Sequence, residues 1–274
     1  MPVIIRADEI SRIDVDHCQI AELLTHKSIG NDQIELDHIL IQKDGSYNIA
    51  LDNTAVGWVQ NLTGSTEMDG SPQRLNPNHI SYLQLGYSGA ITAVEEGVSL
   101  LVARVPNAAR FDAEIINMPK TVQSIDWTHE PVLQSEHDAR TRIYIATRAL
   151  AGTDAFKGEM IIFPPGTAGS PHHHEGAEHF KYVISGQGTA LLNGDEISLK
   201  AGDVIYNYEY EIHSSINESE EDFVFVEFFI PGPCDTVWAP GANRCAWLPT
   251  GADNQGRKPV REIAYHVHGE DHGI

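Results

Sequence analysis

Short apolar runs rich in β-branched and aromatic residues, cut by Gly, Pro, Asn and Asp, make up most of the chain. They fall at residues 36–42, 47–51, 56–62, 80–85, 98–105, 141–147, 160–163, 180–184, 188–192 and 222–230. Many short strands with turn residues at roughly 8–12-residue spacing predict an all-β sandwich or barrel. Helical periodicity is confined to residues 7–27, where Ile20, Leu23 and Leu24 share one side of a possible short helix.

A weak internal repeat suggests that the pattern occurs twice. His79-Ile-Ser-Tyr82-Leu-Gln-Leu-Gly86 aligns with His179-Phe-Lys-Tyr182-Val-Ile-Ser-Gly186 at an offset of 100 residues. The 274 residues have room for two β-barrels in tandem. Clear period is lost across residues 113–135, and the division is drawn there, giving residues 1–115 and 116–274.

Charge narrows the function classes. With 18 Lys+Arg against 39 Asp+Glu, the net charge is −21, which disfavours nucleic acid and anionic membrane surfaces as partners. No apolar run approaches the roughly 20 residues that span a bilayer, and the opening MPVIIRADEISRIDVDH carries no apolar signal core. The expectation is a cytoplasmic protein. Cys18, Cys234 and Cys245 are odd in number and widely spaced, which argues against a disulfide framework and a zinc–thiolate site.

The chemistry is concentrated in histidine. Of 14 histidines, His172, His173, His174 and His179 fall within eight residues, and His213 follows. Residues two apart on a strand share a face, so His172 and His174 project together and His173 projects the other way. A turn through residues 175–178 can return His179 to the same cavity, and a later strand can add His213. Neutral imidazole suits Fe, Ni, Cu, Mn or Zn.

The spacing resembles the two sequence motifs of the cupin superfamily. Gly166, five residues, His172-x-His174, four residues, His179, six residues and Gly186 match the first; Gly202, His213 and Asn217 stand at the positions of the second. The resemblance implies two tandem cupin barrels (double-stranded β-helix, jelly-roll), with one divalent metal held by His172, His174, His179 and His213. Three departures stand out. The motif's usual Glu is replaced by His179, with Glu178 as the alternative ligand. The second motif's Pro and Gly are Tyr208 and Tyr210. The N-terminal half has no His-x-His; its counterpart in the repeat alignment is SPQRLNPNH, so that barrel is expected to hold no metal.

Other side chains are candidates for handling substrate. Lys181 shares the face of His179, and Glu227 lies with Phe225 and Phe229 on one face of an apolar run. Either could move a proton or meet substrate charge. Arg140, Arg142, Tyr144 and Arg148 fall on one face of ARTRIYIATR, where Arg142 could bind a carboxylate, although such rows are commonly solvated. Tyr206, Tyr208 and Tyr210 could line a pocket or stiffen the turn before His213. His266, His268 and His272 could form a second metal site, although tail histidines usually do nothing.

An all-imidazole centre keeps the metal's full positive charge. The resemblance to cupins with histidine-rich centres implies an Fe(II) dioxygenase acting with O2 on a small enolisable, phenolic or otherwise anionic bidentate substrate. A Lewis-acid isomerase, lyase or cyclase and a metabolite-binding cupin are the alternatives. Mn, Ni, Zn or Cu could replace iron, and a homodimer or larger homo-oligomer is expected.

Overall fold

The structure, a computed structural model, describes residues 2–118, 121–270 and 274. Strands dominate, as the alternating runs require. The chain divides into two compact units. One comprises Glu9–Trp127 with Ala151–Ala155; the other comprises Met1–Asp8, Thr128–Leu150 and Phe156–Ile274.

The first unit pairs a seven-stranded sheet with a three-stranded one. The larger runs Val122–Asp126, His79–Leu83, Val56–Thr63, Val98–Val105, Glu35–Ile41, Cys18–Leu24, Ile13–Val15; the smaller runs Ser46–Ala50, Ser88–Ala93, Thr66–Met68. Apolar side chains of both sheets fill the interior, among them Ile39, Ile49, Val59, Met68, Ile91 and Leu100.

The second unit repeats the plan on a larger scale. Its nine-stranded sheet runs Val3–Ile5, Val204–Asn207, Glu178–Ser185, Phe223–Ile230, Lys157–Phe163, Thr141–Ala146, Pro131–Ser135, Ala246–Asp253, His266–Val267. Opposite lies a five-stranded sheet of Asp195–Lys200, Gln187–Leu192, His213–Ile216, His172–Glu175 and Asp235–Trp238. Half of this interior is apolar, built from Ile161, Phe163, Val183, Leu192, Phe223 and Phe225. The other half carries the histidines.

The N-terminal strand Val3–Ile5 belongs to this second unit and pairs with Val204–Tyr206. It is fastened just beyond its end: the Arg6 guanidinium lies 2.9 Å from the buried Asp203 carboxylate, which also accepts the Ala7 amide at 2.9 Å.

Three sequence expectations require correction. Residues 18–24 form a strand, not part of a helix, and pair with Glu35–Ile41. A register shift between Glu22 and Leu24 puts Leu23 and Leu24 both inside, and this break in alternation imitates helical spacing. The repeat at offset 100 does not align equivalent strands. By position in the sheets, Glu178–Ser185 corresponds to Val56–Thr63, and His79–Leu83 to Val204–Asn207. The place of His172–Glu175 is taken in the first unit by Ser46–Ala50, where Ile49 points into the apolar core. Arg148 does not continue the strand of Arg140 and Arg142 but opens a one-turn helix, Arg148–Ala151, and is exposed.

Candidate metal centre and adjoining cavity

Four strands of the second unit bring the histidines together. Cross-strand pairing sets His172 opposite His213, while His179 leads in from the facing sheet, in register with Phe229 and Asn207. One nitrogen each of His174, His179 and His213 lies within 4.8 Å of the others, and so does one each of His172, His174 and His268. The two groups share His174. His172 also packs against His213, with ring centroids 4.6 Å apart.

Hydrogen bonds determine which ring nitrogen each histidine offers. His172 Nδ1 lies 2.7 Å from the Ser170 carbonyl and His213 Nδ1 lies 2.8 Å from that of Glu211. A carbonyl only accepts, so both rings carry their proton on Nδ1 and present the Nε2 lone pair. His174 Nδ1 contacts Thr236 Oγ1 at 3.2 Å. His179 is turned the other way: its Nε2 meets Glu227 Oε1 at 3.2 Å and the Asn207 side-chain amide at 3.1 Å, leaving Nδ1 toward the cluster. His174 Nε2, His179 Nδ1 and His213 Nε2 are buried without a hydrogen-bond partner. Unpaired buried nitrogens cost stability unless something fills them, so this donor set fits a divalent metal.

Burial also keeps these rings neutral. It pushes His172 down to about 3, and it is the first cause holding His174, His179 and His213 well below the ordinary range. Neighbouring histidines, and Lys181 beside His179 and His213, act in the same direction. Neutral imidazole is the metal-binding form.

Of the competing ligands at the turn, His179 joins the cluster, whereas Glu178 accepts a hydrogen bond from Tyr206. His173 points away and pairs with Glu175 at 3.2 Å. Tyr208 and Tyr210 lie on the turn, with Tyr210 exposed at φ +67°. Asn217 is fully buried; its amide donates to the Phe163 and Glu221 carbonyls at 2.6 and 2.7 Å, and its oxygen accepts from Ser219. Its role is to knit the loop.

A cavity of about 40 Å³ opens beside the cluster, enough for roughly three water molecules. Arg140, Arg142, Lys181, Glu227, His172 and His268 all line it. The expected row of solvated arginines is therefore buried: Arg140 and Arg142 are 4% and 3% exposed. Each cavity cation has its own carboxylate. Arg140 pairs with Asp138 at 2.7 Å, Arg142 with Glu159 at 3.1 Å and Lys181 with Glu227 at 3.6 Å. Lys181 also reaches Ser215 Oγ at 3.3 Å. Glu227 thus touches both His179 and Lys181.

Sequence reasoning set His266 and His268 aside, yet both are buried here. His266 Nε2 lies 2.8 Å from the Tyr144 hydroxyl, and His268 Nδ1 lies 2.8 Å from Arg142 Nη1. The alternation His266-Val-His268 is the same signal as His172-x-His174. His272 lies outside the described residues.

With this geometry in hand, comparison with known proteins places the chain. Residues 159–229 match the cupin domain model, a segment that contains His172, His174, His179 and His213. An oxalate-binding protein of Thermotoga maritima is 36% identical over 67 residues, 24% of this chain and 55% of its own length. The match therefore spans about half of that relative. A pectin degradation protein of Dickeya dadantii is 26% identical over 91 residues, 33% of this chain and 82% of its own. Oxalate decarboxylase from Bacillus subtilis superposes with a TM-score of 0.69 over 86% of this chain and 78% of its own, at 15% identity. That of Lactobacillus farciminis, solved with formate, gives 0.69 over 86% and 88%, at 12% identity. The architecture is that of two tandem cupin barrels, and the histidines sit in the cupin domain of the second. Among the described residues, no helix is long and apolar enough to cross a membrane.

Proposed function

We propose that the second barrel is a metal-dependent enzyme site for a small, doubly charged carboxylate such as oxalate. The observation that carries this reading is the charge balance beside three unpartnered imidazole nitrogens. Every cavity cation is matched by a carboxylate, and all the nitrogen donors are neutral. A divalent ion, manganese or iron, would be held by His174, His179 and His213 with His172 as a fourth ligand, supplying a Lewis-acidic +2 charge that no ligand offsets. A bidentate dianion restores neutrality. The small cavity sets the size, and the names of the similar oxalate proteins agree with the class.

Within that cavity Arg142 is placed to bind and orient a carboxylate, because its guanidinium is buried and fixed by Glu159 and by the Trp247 ring 4.2 Å away. Replacing one carboxylate of a dicarboxylate by hydrogen releases carbon dioxide and consumes one proton. The Lys181–Glu227 pair is the source of that proton inside the cavity. The aromatic walls, Phe225, Trp238 and Trp247 among them, exclude water from the reacting carbon. This favours a redox-neutral lyase reaction. The second reading is the Fe(II) dioxygenase, favoured by the all-histidine donor set.

The test loads the protein with Mn(II) or Fe(II) and supplies isotope-labelled oxalate, other short dicarboxylates and diketones under nitrogen and under air. Equal yields of formate and carbon dioxide from oxalate under nitrogen support the lyase. Oxygen uptake coupled to turnover supports the dioxygenase. Failure to retain metal, or to bind or turn over any carboxylate when loaded, refutes the proposal.

A further inference from the structure

We infer that His268, delivered to the cavity by the strand His266–Val267, is a substrate-binding hydrogen-bond donor and not a metal ligand. The inference rests on the carboxylate reading above and adds a residue that lies outside the matched cupin segment.

Its position alone would allow either role. The His268 ring centroid lies 5.2 Å from that of His172 and 5.3 Å from that of His174, and one of its nitrogens falls within the ligand-spaced group with theirs. The proton decides. His268 Nδ1 lies 2.8 Å from Arg142 Nη1. A guanidinium has five N–H donors and no acceptor, so Nδ1 must accept and cannot carry hydrogen. The ring proton is therefore on Nε2. His172 and His213 are the reverse case, because backbone carbonyls fix their protons on Nδ1 and leave Nε2 open. Three neighbouring imidazoles of one sequence type are thus divided by their partners into two lone-pair donors and one N–H donor.

A ring with hydrogen on Nε2 cannot ligate a metal through that atom, and its Nδ1 is already engaged by Arg142. His268 lines the same cavity as Arg142 and Lys181. Arg142 holds it there, and Trp238 and Phe229 flank its ring at centroid distances of 6.2 and 6.5 Å. What this N–H can meet is an acceptor: a carboxylate oxygen of the bound anion.

The probe is oxalate, titrated calorimetrically into Mn(II)-loaded wild-type, His268→Gln, His268→Phe and His268→Ala proteins, with metal content measured on each. Gln retains an N–H and a group able to accept from Arg142, whereas Phe keeps the ring without either. Loss of one hydrogen bond to a charged acceptor predicts about ten-fold weaker binding in the Phe and Ala variants. The Gln variant should stay within about three-fold of wild type, and all four should hold equal metal. Equal oxalate affinity in all four proteins overturns the inference. So does loss of metal from the Phe variant, which would make His268 a ligand; that variant also decides the matter if Ala fails to fold. A wild-type protein that holds metal but binds no small carboxylate refutes the carboxylate reading itself, and this inference with it.

Discussion

Acid should destabilise the metal-free second unit well before its carboxylates titrate. His172 has an ordinary value near 6.5 when unfolded and about 3 when folded, with burial as the first cause. A depressed histidine value means that the unfolded chain takes up the proton first. Stability is then complete above about 6.5 and is lost as pH falls toward about 3. At pH 5 the loss from this one ring is RT ln(1 + 10^1.5), about 2 kcal/mol. His174, His179, His213 and His268 are shifted in the same direction and add to it. Against a total stability of roughly 5–15 kcal/mol, that is a large fraction. The measurement is urea unfolding of chelator-treated protein at pH 7.5 and pH 5, followed by tryptophan fluorescence, to which Trp238 and Trp247 of the second unit contribute, repeated for His172→Asn. The variant should lose about 2 kcal/mol less between the two pH values. Saturating divalent metal at 100 times its Kd should add about 2.7 kcal/mol at neutral pH. Identical pH dependence in wild type and variant would refute the desolvated, neutral state assigned to His172.

Two further outcomes follow from the same site and turns. His174→Ala and His213→Ala should each remove most of the bound metal, read by elemental analysis, while circular dichroism shows an intact β fold; His173→Ala should keep its metal. Gly186→Ala should destabilise by at least about 2 kcal/mol, seen as a thermal midpoint several degrees lower. At φ +72° a side chain is strained, and the added Cβ would lie 2.1 Å from the Asp222 carbonyl oxygen.

Much of the strand pattern could be read directly, because β-branched runs punctuated by glycine carry a local signal. The cluster was legible for a similar reason: alternation at His172-x-His174 states which side chains share a face, and motif spacing adds His179 and His213. The failures have long-range causes. Cys18–Leu24 was misread because a register shift puts two consecutive leucines inside. The offset repeat misled because equivalent strands are defined by pairing order, which chain spacing does not report. The buried arginines resembled a solvated row, since Glu159, the partner of Arg142, lies on a neighbouring strand and is recognisable only once the sheet is assembled. His268 was set aside with the tail histidines because nothing local says that the strand beside Ala246–Trp247 returns to the cavity.

The pairing of Val3–Ile5 with Val204–Tyr206 has a bearing on how the second unit comes to be complete. Val3 meets Tyr206, about 200 positions away, so the last strand on that edge closes one of the longest loops in the chain. Until it docks, Val204–Asn207 presents an open ladder of amide and carbonyl groups, and Asp203 is left without Arg6 and the Ala7 amide. A fragment cut at the start of the cupin unit would carry that open edge permanently and expose it to pairing with other chains. Along the chain, the first barrel thus interrupts the second, and the N-terminal strand covers the sheet edge that would otherwise be open to pairing.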